Sequence, residues 1–278
     1  RFWYDKNNDK WMSAKEIESG EFYLYGFIPY LSGVTASVVP SETFSEGAKL
    51  TINGMPTVIA SDVCVLVGAN NGTSADEDGG LARGNFRFGP NGISENYVYL
   101  LFDHLYSSIR FSMKVDSRYN ELRTIKLKKL ELKPRYENNY VTSKVNITVT
   151  LRGNDNGDNP IQSVIFAFVE GDLANEPLYD STEGLTLTTE YSDYMGSFVP
   201  HNISLFTLVS TYDVYDKKGN LVRKDCRAEN DLDITQLFFS NQTLDRGMMF
   251  TVKMTIEPTY LYVLSDPDLD NPTVNVEH

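Results

Sequence analysis

Apolar and polar side chains alternate with a period of two along most of this chain, the pattern of strands with one face on a core and the other in water. Tyr23, Tyr25 and Phe27 make one such series, and Tyr97, Tyr99 and Leu101 another. Ile109, Phe111, Met113 and Val115 follow. Ile125 and Leu127 open a further run that resumes at Leu130 and Leu132, and the three-residue step between them predicts a β-bulge. Val145, Ile147, Val149 and Leu151, then Val164, Phe166 and Phe168, carry the pattern through the middle of the chain. Phe250, Val252, Met254 and Ile256 continue it, followed by Tyr260, Tyr262 and Leu264.

Turn-forming clusters separate these runs: Pro90-Asn91-Gly92, Gly153–Pro160 (GNDNGDNP) and Asp216–Asn220 (DKKGN). The last divides Ser210–Tyr215 from Leu221–Lys224 and predicts a hairpin, with Gly219 available for positive φ. Short helical turns are expected only at Ser13–Ser19 and His104–Ser108. Many short strands between regular turns predict an all-β fold. The absence of an internal repeat of about 20–50 residues argues against solenoids and propellers.

A chain of 278 residues exceeds what one hydrophobic core usually serves. Two tandem β-sandwich domains are therefore expected, residues 1–137 and 138–278. The boundary is placed in the polar segment Pro134–Tyr140 (PRYENNY), with the acidic loop Gly153–Pro160 as the alternative.

Composition narrows the function classes. The 38 acidic residues outnumber 25 Lys and Arg, giving a net charge of −13. Such a surface repels phosphate backbones and anionic headgroups, so nucleic acid is not an expected partner. The one basic run, Lys126–Lys133, interleaves Lys with Leu and reads as a solvated strand face. No apolar run approaches the roughly 20 residues of a membrane-spanning helix. Cys64 and Cys226 lack CxxC spacing, and Cys64 within Val63–Val67 (VCVLV) reads as a small buried thiol. Whether the two pair is not legible from spacing.

Enzyme signatures are missing: no GxSxG elbow, P-loop, GxGxxG or HExxH occurs. His104 reads as a hydrogen-bonded structural histidine, and the acidic trio Asp76-Glu77-Asp78 as a solvated loop tip. A glycosidase pair is defined by separation in space, which sequence spacing does not reveal. No catalytic residue and no cofactor is expected. Asp266, Asp268 and Asp270 are calcium candidates with the spacing of the first ligands of a calcium loop, and Glu277 falls at the twelfth position. Asn271 replaces the Gly needed at the sixth, however, and Pro267 and Pro272 favour an Asx/Pro turn closing a strand. Trp3 and Trp11 would suit a shallow glycan platform, against the plainer reading of packing on a sheet edge.

Four segments together resemble one family. Asp9-Lys10-Trp11 with Phe22–Pro29 (FYLYGFIP), Leu101–Val115 (LFDHLYSSIRFSMKV), Thr207–Asn230 with its YDVYDKKGNLVR hairpin, and Thr255–Val274 (TIEPTYLYVLSDPDLDNPTV) are similar to strands of the fimbrillin-like pilus subunits of Bacteroidetes. The resemblance implies two sandwich domains of transthyretin-like (Greek-key) character and a structural or adhesive role in a cell-surface fimbrium. It implies export as a lipoprotein precursor to the outer membrane surface, with any lipid anchor outside this sequence. It also implies that an Arg- or Lys-specific protease removes an N-terminal segment, which Arg1 would fit. The groove so opened in the first domain would take a strand from a neighbouring subunit. Expected partners are other pilus subunits and a host protein or glycan receptor. Val274 and Val276, alternating in the tail, are the expected assembly anchors. The alternative is a glycan-binding surface lipoprotein that does not polymerise.

Overall fold

The computed structural model describes residues 2–5, 7–8, 10–13, 22–70, 83–88, 99–153, 159–237, 245–257 and 273–277; for the strands at its two ends only the backbone pairing is described. The fold is all-β. A hairpin, β1 (Phe2–Asp5) with β2 (Lys10–Ser13), precedes β3 (Phe22–Tyr23), β4 (Phe27–Ile28) and β5 (Thr35–Pro40). A 3-10 turn at Phe44–Glu46 leads into β6 (Gly47–Pro56), followed by β7 (Cys64–Asn70), β8 (Arg87–Phe88) and β9 (Tyr99–His104). Next come β10 (Tyr106–Val115), the short helix α1 (Ser117–Leu122), β11 (Arg123–Tyr136) and β12 (Asn139–Tyr140). Then follow β13 (Lys144–Arg152), β14 (Ile161–Phe168), β15 (Glu176–Leu187), β16 (Met195–Pro200), β17 (Leu205–Asp216) and β18 (Leu221–Asp233). Helix α2 (Ile234–Leu237), β19 (Met249–Glu257) and β20 (Thr273–Glu277) complete the order.

Two hydrophobic cores result. The first lies among the sheet β14-β13-β6-β5, the sheet β4-β7-β9 and the pair β3-β8. Leu50, Ile52, Val65, Val67, Tyr106, Val145, Ile147 and Val149 fill it. The second lies among the sheet β16-β10-β19-β20 and the sheet β12-β11-β17-β18, with β15 also on β11. Ile109, Phe111, Leu130, Phe206, Leu208, Val252 and Met254 are among its buried residues. The alternation read from sequence places these side chains: in β13 Val145, Ile147, Val149 and Leu151 are buried and the residues between them are not. The three-residue step in β11 is a bulge, with the register to both β15 and β17 shifting between Leu127 and Lys129. The DKKGN segment is the expected hairpin turn, Asp216 N–H donating to Asn220 O at 2.9 Å and Gly219 at φ 86°.

The cores interleave along the chain. Strands β13 and β14 pair back onto β6 and close the first core, whereas β10 and β11, earlier in sequence, belong to the second. A division at 137/138 thus runs through both cores. Glu137 (φ 48°) and Asn138 (φ 68°) are both left-handed, as a tight two-residue hairpin between β11 and β12 requires, so this polar segment is a turn and not a linker. The sequence signals for the two are the same, because both need polar, helix-averse residues.

The helical turn expected at His104–Ser108 is instead the passage from β9 to β10. Leu105 and Tyr106 are fully buried in the first core while Ile109 is buried in the second, so the chain stays extended to serve both. At Ser13–Ser19, Ser13 ends β2 and the remainder lies outside the described residues. The basic run of β11 is partnered rather than simply solvated. Lys128 Nζ lies 2.8 Å from Asp225 and 3.8 Å from Asp213, Lys129 Nζ lies 2.8 Å from Glu131, and Arg135 lies 3.0 Å from Asp231. The Lys128–Asp225 hydrogen bond, between β11 and β18, is the chief cause that raises the Lys128 pKa and lowers that of Asp225.

Candidate functional site

The expected assembly residues Val274 and Val276 fall in β20, which pairs antiparallel with β19 and sets them opposite Ile256 and Met254. Those two partners are buried in the second core. β19 in turn runs parallel to β10, from Ser108↔Met249 to Val115↔Ile256. Among the described residues β20 is therefore held from one side only, at the edge of its sheet. Among the described residues β5, β9 and β14 are also edge strands, each paired with one neighbour. The calcium candidates Asp266, Asp268 and Asp270 and the trio Asp76–Asp78 lie outside the described residues. Trp3 and Trp11 stand in the β1–β2 hairpin, opposite Met12 and Tyr4 respectively. No disulfide joins Cys64 to Cys226; both are buried, Cys226 in the second core and Cys64 at the start of β7.

One polar constellation stands out, and its parts are set by strand register. Cys64 pairs directly with His104 across β7 and β9. Asp62, two residues before Cys64, shares its side of an extended chain. The three ligand-type atoms lie within 4.8 Å of one another. Cys64 Sγ is 3.7 Å from His104 Nδ1, and an Asp62 carboxylate oxygen makes a short hydrogen-bond contact with the same nitrogen. The other oxygen, Asp62 Oδ1, is buried and accepts no hydrogen bond among the described residues. The His104 side chain is 51% exposed and that of Asp62 23%, so solvent reaches the cluster from the imidazole side.

The neighbours fix this arrangement. Gly247 has φ 73°, and a Cβ there would stand 2.6 Å from His104 Cδ2, so a glycine both makes the turn and leaves room for the ring. Asp103, next to His104, takes Arg83 at 2.5 Å and Arg246 at 3.8 Å, and accepts the His104 N–H at 3.1 Å. His201 donates from Nδ1 to Leu105 O at 3.1 Å and meets the edge of Phe166.

This is not the geometry of a Cys–His–Asp nucleophile. In such a relay the acid and the thiol sit on opposite imidazole nitrogens, whereas Asp62 and Cys64 both approach Nδ1. Burial, reinforced by the Asp62 charge and hydrogen bond, pushes the Cys64 thiol up to about 12, leaving it protonated at neutral pH. The sequence reading of His104 as a hydrogen-bonded histidine agrees with its Asp62 contact. It missed the constellation. The D-x-C spacing ahead of VLV was its one local signal; the histidine forty residues on enters only through register.

No protein-family model matches the chain, and no curated protein matches it. Among solved structures it is similar to a fimbrial protein from Bacteroides vulgatus, at 13% identity over 97% of this chain and 82% of that one, with a TM-score of 0.44. It is also similar to a candidate cell adhesion protein from Bacteroides uniformis, at 8% identity over 84% of this chain and 72% of that one, with a TM-score of 0.33. Both likenesses are shallow at these scores.

Proposed function

We propose that this chain is a structural, non-catalytic subunit of a cell-surface fimbrium, its two cores corresponding to two sandwich domains and its contacts with neighbouring subunits made by strand addition. The observation that carries the reading is β20, among the described residues an edge strand held by β19 alone and joined to it through residues 258–272. Such a strand can leave its own sheet and complete the same ladder in a second copy, since the main-chain bonds and the Val274 and Val276 register are the same in either chain. The four fimbrillin-like sequence segments and the fimbrial and adhesion proteins among its structural neighbours support the same role. Departure of β20 opens an acceptor edge on β19, removal of an N-terminal segment would open a further groove in the first domain, and export to the outer membrane surface would bring the subunits together. Other pilus subunits are the partners, with a host protein or glycan as the receptor for adhesion.

Immunogold electron microscopy of producing cells, with antibody against this chain, tests the role. Label along thin filaments is expected, and label confined to the flat cell surface would overturn polymerisation in favour of a monomeric surface protein. Deleting Asn271–His278 tests the strand. Filaments should disappear while the truncated subunit still reaches the surface, and undiminished filaments would exclude β20 as the added strand.

A further inference from the structure

The convergence on His104 Nδ1 has a chemical meaning that pilus assembly does not use. We propose that Asp62, Cys64 and His104 form a binding site for a thiophilic divalent cation of the zinc class. Three donor atoms of different kinds, one sulfur, one nitrogen and one carboxylate oxygen, face a common volume with all separations within 4.8 Å. A tetrahedral zinc with bonds of about 2.3 Å to sulfur and about 2.0 Å to nitrogen holds those two atoms about 3.6 Å apart. Cys64 Sγ and His104 Nδ1 stand at 3.7 Å without adjustment. The Asp62 carboxylate, now in direct contact with Nδ1, has only to rotate back to admit an ion. Its second oxygen, Oδ1, is buried with no hydrogen bond among the described residues and supplies a carboxylate valence that these leave unmet.

Binding is balanced: the Cys64 thiol gives up its proton to solvent as the sulfur takes the ion, and His104 binds through Nδ1 with its remaining N–H on Nε2. Imidazole, thiolate and carboxylate together favour zinc over calcium or magnesium, which take oxygen donors. Three protein ligands and a half-exposed histidine leave the fourth position to water. The support around the ligands is already built, with Gly247 against the ring and Asp103, tied by Arg83, holding the His104 backbone N–H.

The test is a titration of the reduced, chelator-treated chain with cobalt(II) alone, reading the thiolate-to-cobalt charge-transfer absorption, followed by displacement with zinc(II). One equivalent should bind. The band should vanish in Cys64→Ser and persist in Cys226→Ser, and His104→Ala should weaken binding by more than about 100-fold, since even outer-shell losses cost about 10–100-fold. Because Cys64 is buried and its serine variant is at risk of misfolding, His104→Ala, at a half-exposed position, decides the matter by itself if that variant does not fold. A chain that gives no thiolate band, or one whose band survives either Cys64→Ser in folded protein or His104→Ala, overturns the site.

Discussion

His201 shows how one half-buried side chain ties stability to acidity. Burial holds its pKa below the usual 6.5; the Leu105 carbonyl opposes that shift and Arg246 adds to it. A histidine depressed in the folded state binds its proton more readily when the chain is unfolded. Stability is then fully present above about pH 6.5 and is lost as the pH falls from there toward the folded pKa. Replacing His201 with Gln, which does not titrate, should leave a melting-temperature deficit at about pH 7.5 that narrows or reverses by about pH 5.5. A constant difference between the two proteins across that range would show that His201 does not carry this dependence. At this scale the sequence was legible for burial and mute on partners. Cys64 was readable as a buried thiol from VCVLV, but nothing local announces that His104 is its cross-strand neighbour.

At the scale of the element, period-two patterning located most strands because one face of each is against a core. The bulge in β11 was readable for the same reason, since a single inserted residue flips the buried face and must be absorbed somewhere. Direction was not readable. Alternation is identical in parallel and antiparallel strands, so the parallel union of β10 with β19 leaves no trace in either segment. The turn between β11 and β12 gives an element-scale prediction. Glu137 and Asn138 both occupy left-handed backbone, which suits Asn and strains Glu. The double change Glu137→Asn with Asn138→Gly should stabilise the protein by roughly 0.5–1 kcal/mol in denaturant unfolding. If residues 134–140 were a linker between separate domains, the same change would leave stability untouched or lower it slightly.

For the whole molecule, the interleaving of the cores decides how it can be divided. A fragment of residues 1–137 would hold β6 without β13, and β10 and β11 without β19 and β17. A fragment of 138–278 would have the complementary deficits. Neither piece is expected to fold alone, whereas the two made together should associate and recover the far-ultraviolet circular dichroism of the intact chain. Two independently folded fragments, each with a cooperative thermal transition, would refute the interleaved arrangement.

The parallel pairing of β10 with β19 also orders events in time. As the chain leaves a ribosome or an export channel, β10 is free by residue 115, yet the strand that covers its flank does not begin until residue 249. Until residue 195 an apolar strand carrying Ile109, Phe111 and Met113 waits with both edges open, and from β16 to β19 with one, at the stage when nascent chains are most prone to stick to one another. The second core of a chain built this way can close only when nearly all of it has arrived.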